Sequence, residues 1–167
     1  MHPIRFEHSS VMPCPAARLW EFHMRNDALD VLSPPGTRVV DRGMGVADGS
    51  IVTLQMGWWP VETTWKALHA GVRAPESFTD IALQSPFAFW AHQHEIEALD
   101  AGTSRLRDVV HYLPPRWVPA WAARSLTGLA LRLLFGWRHR RTRRAVTADV
   151  QRRSAGGWFV QLVSGGV

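Results

Sequence analysis

The stretch from Phe78 to Tyr112 constrains the fold most, because its apolar and ionisable residues alternate with the period of a β-strand. Asp80, Trp90, His92, His94, Ile96, Asp108 and Tyr112 all fall on even positions. Side chains at i and i+2 of a strand point to the same face. That face carries Trp90 and Ile96, so it is expected to be the buried one. Two histidines, two carboxylates and a phenol aimed at an apolar interior need a reason to be there. Either they form a satisfied hydrogen-bond network or they line a ligand cavity.

The turn argues for one register. Asp100-Ala101-Gly102 reads as a three-residue hairpin loop with Gly102 at the left-handed position, pairing Leu99 with Thr103. His94 then lies opposite Asp108, His92 opposite Val110 and Trp90 opposite Tyr112. On the other face Glu95 meets Arg107 and Glu97 meets Arg105, each pair contributing roughly 0.2–1 kcal/mol. A one-residue slip would set Glu95 against Asp108 and turn the apolar set outward. Asp80 faces His92 if the preceding turn pairs Ala82 with Trp90.

The 167-residue chain suits one domain over residues 1–150, followed by a C-terminal tail over 151–167. With 46% hydrophobic and 20% charged residues it is expected to be ordered. Nine tryptophans either fill a large core or line a cavity for a bulky apolar ligand. The single Cys14 has no disulfide partner, which fits a reducing, cytoplasmic setting. Met1 to Ser10 is polar and strand-like rather than a signal peptide, and no apolar run is long enough for a transmembrane helix. The net charge is +5, yet the segment from Arg138 to Arg153, with seven arginines and Asp149, carries +6 of it. The remainder is near neutral, which argues against a uniformly basic nucleic-acid binder.

Residues 3–12 read as a strand alternating Ile4, Phe6 and His8 with Arg5 and Glu7. Pro13 and Pro15 end it and open a short helix to Met24. A second short helix, capped by Asn26 or Asp27, runs to Leu32 and stops at Ser33-Pro34-Pro35-Gly36. Strands are expected at 37–42, 49–59, 61–71, 76–83, 88–99 and 103–113. A long helix follows over 116–150, with Leu126, Leu129, Leu133 and Trp137 as the stripe that covers the sheet, and Gly128 and Gly136 inside it. In the tail, Trp158 to Val163 reads as a strand.

This order resembles the α+β helix-grip fold, a curved antiparallel sheet of about seven strands wrapped around a long C-terminal helix. The motifs Leu29-x-x-Leu32-x-Pro34-Pro35, Trp65-x-Ala67, Phe78-x-Asp80, Pro86-Phe87-x-x-Trp90-x-His92-x-His94 and Thr103-x-x-x-x-Asp108-x-Val110-x-Tyr112-x-x-Pro115 resemble the ligand-binding SRPBCC family. That family lies in the START and Bet v 1-like superfamily, with polyketide cyclases among its relatives. The resemblance implies a cavity between sheet and helix, and no particular substrate.

The expected ligand is small and largely apolar, lipid-like or polycyclic. Its expected lining is Trp65, Phe78, Asp80, Trp90, His92, His94, Asp108, Val110, Tyr112, Leu126, Leu129 and Leu133, with Trp58 a further stacking candidate. A cyclase-like enzyme is the alternative, with His94 as general base and Asp108 fixing its tautomer. No cofactor is expected. No metal is expected either, because His92 and His94 would need a third ligand from a neighbouring strand, and no His-Glu-x-x-His or paired-cysteine motif occurs. The third reading is an interaction module that presents Arg138, Arg140, Arg141, Arg143 and Arg144 to an acidic partner or anionic membrane. The same arginines also suit the solvated end of a helix. Nucleotide-binding and serine-nucleophile motifs are lacking.

Overall fold

The computed structural model describes residues 2–58, 61–115 and 118–163. Strand β1 (Ile4–Met12) runs into helix α1 (Ala16–His23) and helix α2 (Ala28–Leu32). Six strands follow: β2 (Thr37–Asp41), β3 (Ile51–Trp58), β4 (Val61–Arg73), β5 (Ser77–Gln84), β6 (Phe89–Ala98) and β7 (Ser104–Leu113). Helix α3 (Ala120–Val163) closes the fold. The strands form one antiparallel sheet in the order β1-β7-β6-β5-β4-β3-β2. Every sequential pair from β2 to β7 is a hairpin, and β1 returns to pair with β7. This is the seven-stranded helix-grip architecture.

The β6–β7 hairpin has the expected register: His94 pairs with Asp108, His92 with Val110, Trp90 with Tyr112. The charge pairs on the outer face form as well, with Arg107 Nε donating to Glu95 at 2.6 Å and Arg105 to Glu97 at 2.7 Å. The turn differs in mechanism. Gly102 does not adopt a positive φ. Instead the Asp100 carboxylate accepts from the Gly102 and Thr103 amides, both at 2.7 Å, and Leu99 N–H donates to Thr103 O at 3.1 Å. An Asp side chain that imitates a backbone turn removes the need for a left-handed glycine.

Helix α3 corrects two expectations. Its inward stripe is Leu131, Phe135, His139, Thr142 and Val146, all buried. Leu126, Leu129 and Leu133 are 63%, 54% and 66% exposed. Leu131 and Leu133 stand about 200° apart on a helical wheel, so choosing one stripe excludes the other. The inward stripe wins because it carries Phe135 into the sheet and brings His139 to a buried carboxylate. The helix also runs without a break across residue 150 to Val163, so the expected strand in the tail is helical instead.

The apolar interior falls into two clusters. Met12, Cys14, Leu19, Phe22, Leu32, Ile96, Leu106 and Val146 form one. Trp90, Val110, Tyr112, Leu131 and Phe135 form the other, with Trp65 and Phe87 against it. Between them along β6, β7 and α3 lie His92, His94, Asp108 and His139. The polar residues thus occupy a belt across the middle of the core.

Candidate functional site

Two cross-strand rows build this belt. In the first, His69 on β4, Asp80 on β5, His92 on β6 and Val110 on β7 are successive partners. In the second, Phe78 on β5, His94 on β6, Asp108 on β7 and His8 on β1 are successive partners. The Asp80–His92 pairing is the one the turn argument anticipated. Helix α3 adds His139 from above, and α1 adds His23, whose ring lies 5.9 Å from that of His94.

Asp108 is the anchor. One carboxylate oxygen accepts from His92 Nε2 at 3.0 Å and the other from His139 Nε2 at 2.6 Å. His94 Nδ1 is 2.9 Å from Asp108 Oδ1, within the expected reach, but its N–H does not point at that oxygen. The well-directed contact of His94 runs the other way, from Nε2 to Asp80 Oδ2 at 3.1 Å. His69 is held by its Nδ1, which donates to Gly45 O at 2.9 Å, and its Nε2 lies 3.0 Å from Asp80 Oδ1. That last approach is also off-axis, leaving Asp80 Oδ1 buried without a hydrogen-bond donor aimed at it.

These contacts sort the protonation states. Burial alone would raise the Asp80 and Asp108 carboxyls, but the surrounding histidines override it and hold both well below the usual carboxylate range. Burial would lower His94, yet the charges of Asp108 and Asp80 push it up to about 9. Burial and the neighbouring charge of His94 take His92 and His23 down to about 4. At neutral pH His94 therefore keeps its proton. In that state it is a donor to Asp80 Oδ2.

A cavity of about 300 Å³ opens beside this belt. Its floor is His69, Asp80, His94 and His23, and its walls include Leu29, Leu32, Val52 and Phe78. The rim comes from Arg25, Arg42 and the β2–β3 loop through Val46. That loop is shaped by glycine. Gly43 has φ +54°, and a Cβ there would stand 2.5 Å from Ile51 O. Gly45, at φ +75°, presents the carbonyl that orients His69.

Of the expected lining, Phe78, Asp80 and His94 face the cavity. His92 and Asp108 sit behind it in the belt. Trp65, Trp90, Val110 and Tyr112 pack in the apolar cluster and do not line this cavity, with the Trp65 and Trp90 rings edge-on at 5.2 Å. Leu126, Leu129 and Leu133 are on the outer face of α3. The Trp58 side chain lies outside the described residues. Arg138 lines the cavity rather than standing wholly outside it, so one arginine of the basic run belongs to the site. His23, His69 and His139 were not anticipated. Each had a signal: His69 shares parity with Trp65 and Ala67, His23 follows Leu19 by four residues, and His139 follows Phe135 by four.

No known family model matches the chain, and no curated protein matches its sequence. Solved structures do match in fold. The Zhui aromatase/cyclase from Streptomyces sp. R1128 is 19% identical, with 99% of this chain and all of that chain aligned at a TM-score of 0.62. A START superfamily protein from Mycobacterium smegmatis is 12% identical, over 86% of this chain and 97% of the other, at a TM-score of 0.66. A Thalictrum norcoclaurine synthase is 11% identical, over 89% and 98%, at 0.64. The chain therefore shares the helix-grip fold of these structures, a START superfamily protein among them. Among the described residues no helix is long and apolar enough to cross a membrane.

Proposed function

We propose that this chain binds a small molecule with an apolar body and a polar end, seated between α1, α2, the β2–β3 loop and the sheet. One observation carries the reading: a single cavity joins an apolar wall of Leu29, Leu32, Val52 and Phe78 to a floor of His69, Asp80 and His94. Its volume of about 300 Å³ is at the small end for ligand pockets. Desolvating the polar end costs little only if partners wait for it, and the floor supplies both a donor and an acceptor. The fold neighbours include an aromatase/cyclase and a norcoclaurine synthase in complex with dopamine and hydroxybenzaldehyde, which agrees with a cavity of this kind.

Replacing Leu29, a partly exposed residue of the apolar wall, with Trp puts a large side chain into the cavity. We expect about a tenfold loss of affinity, or roughly 1.4 kcal/mol, for an uncharged fluorescent probe such as N-phenyl-1-naphthylamine. Unchanged probe affinity would show that it sits elsewhere. Native mass spectrometry of freshly purified protein is the direct search for the natural ligand.

The arrangement of Asp80 and His94, side by side at 3.1 Å with both reaching the cavity, favours a catalytic second reading in the same space. Loss of turnover with probe binding retained in Asp80→Asn separates catalysis from carriage. The surface arginines support a weaker contact with anionic membranes or acidic partners. Arg140 and Arg144 are exposed, whereas Arg143 donates to Val11 O at 2.8 Å and Arg141 to Val31 O at 3.2 Å. Replacing Arg140 and Arg144 with Ser is expected to leave probe binding unchanged and weaken binding to anionic vesicles. Wild-type vesicle binding should itself fade at high salt, where the Debye length drops to about 3 Å. Salt-insensitive vesicle binding would rule the contact out.

A further inference from the structure

We infer that the floor of the cavity is a divalent transition-metal site, with His69, Asp80, His92 and His94 as ligands. This goes against the sequence expectation of no metal. That expectation turned on the lack of a third ligand from a neighbouring strand, and Asp80 on β5 is that ligand.

The argument rests on counting donors. The Gly45 carbonyl can only accept, so His69 Nδ1 must carry a hydrogen and its Nε2, when the ring is neutral, carries a lone pair. That lone pair stands 3.0 Å from Asp80 Oδ1, an acceptor. Asp108 likewise takes the hydrogen of His92 Nε2, which leaves His92 Nδ1 as a lone pair 3.9 Å from Asp80 Oδ2. His94 Nε2 lies 3.1 Å from the same oxygen, while its Nδ1 lies beside Asp108. Apart from the His94 Nε2 hydrogen, which points at Asp80 Oδ2, the acceptors that converge here from three strands (His69 Nε2, His92 Nδ1 and Asp80 Oδ1) have no donor among them. Asp80 Oδ1 is left buried and without a hydrogen-bond partner. A cation that displaces the His94 proton resolves this convergence.

The geometry agrees. Ligand atoms of Asp80, His92 and His94 all lie within 4.8 Å of one another, and His69 Nε2 is a fourth donor beside the carboxylate. The outer shell is also present. Two of the histidines direct their other ring nitrogen at an acceptor, His69 at Gly45 O and His92 at Asp108, and His94 Nδ1 lies 2.9 Å from the same Asp108 oxygen without pointing at it. His139 in turn fixes the far oxygen of Asp108. Metal-bound histidines are held this way, which sets their tautomer and raises their basicity. Three imidazoles and one carboxylate suit zinc or another borderline divalent ion. Asp80, His69 and His94 also line the cavity, so a free coordination position would face whatever molecule enters. The inference deepens the ligand reading in that respect, but its test needs no organic ligand.

The full chain, stripped with chelator and exchanged into metal-free buffer, is titrated with zinc chloride by calorimetry. In parallel it is titrated with cobalt(II), whose visible d–d absorption reports a low-coordinate nitrogen and oxygen site. We expect one ion per chain. Asp80→Asn and His69→Gln should each weaken binding at least about tenfold, and Asp108→Asn by about 10–100-fold through the outer shell. His111→Gln, a histidine on the other face of β7, should match the wild type. Wild-type protein that takes up no stoichiometric ion, or Asp80→Asn binding as tightly as wild type, overturns the inference. Circular dichroism separates lost ligands from lost folding, and the wild-type cobalt spectrum stands even if a variant fails to fold. Probe binding retained in chelator with no zinc uptake would defeat the metal site and leave the ligand reading intact. Zinc uptake without probe binding would support the metal site and defeat the ligand reading.

Discussion

Replacing Asp108 with Asn is expected to destabilise the fold by about 3–5 kcal/mol, the range for removing one partner from a buried charged cluster. The carboxylate is 2% exposed and accepts from His92 and His139 through its two oxygens, with His94 beside it. An amide keeps the shape but turns one acceptor into a donor, which then faces an imidazole N–H. It also removes one of the two negative charges flanking His94. For a domain of this length each kcal/mol lowers the midpoint of thermal unfolding by about 2–4 °C. The drop should therefore reach roughly 6–20 °C. Glu97→Gln is the comparison, since its partner Arg105 and the pair itself are exposed, and less than about 1 kcal/mol is expected. If Asp108→Asn melts within a degree or two of wild type, Asp108 does not hold the belt together.

The second large effect distinguishes the two faces of α3. Phe135→Ala should cost about 3–5 kcal/mol, because the ring is 1% exposed and its removal leaves a cavity between helix and sheet. It packs on Phe6 at 5.5 Å and on His92 at 4.9 Å between ring centroids. Leu133→Ala, two residues earlier, should fall within about 0.5 kcal/mol of wild type, as its side chain is 66% exposed. Chemical denaturation of the two variants decides the matter. Equal losses, or a larger loss at Leu133, would mean that the helix docks by the other face.

Much of the fold was legible in the chain because local rules agreed with one another. Alternation placed β6 and β7, the Glu95–Arg107 and Glu97–Arg105 pairs set their register, and Pro34-Pro35 ended α2 where expected. The turn residues worked through a different atom than anticipated, Asp100 Oδ1 rather than a left-handed Gly102, yet the pairing was the same. Where two apolar stripes competed on α3, nothing local chose between them. The choice lay in the partner surface: only the stripe with Phe135 and His139 finds an apolar cluster and a buried carboxylate opposite it.

The candidate site divides along the same line. From the sequence alone, Asp80, His92, His94 and Asp108 are assigned to one buried face, since strand parity is local and periodic. The arrival of His69 from β4, His23 from α1 and His139 from α3 depends on which elements pack together. So does the sharing of each carboxylate among several imidazoles. The location of the cavity, at the polar belt rather than against Trp90 and Tyr112, follows from how α1, α2 and the β2–β3 loop cover one half of the sheet. Spacing tells which side chains share a face, because the backbone period is fixed. What those side chains meet across the core is set by long-range packing, and tertiary structure alone decided it.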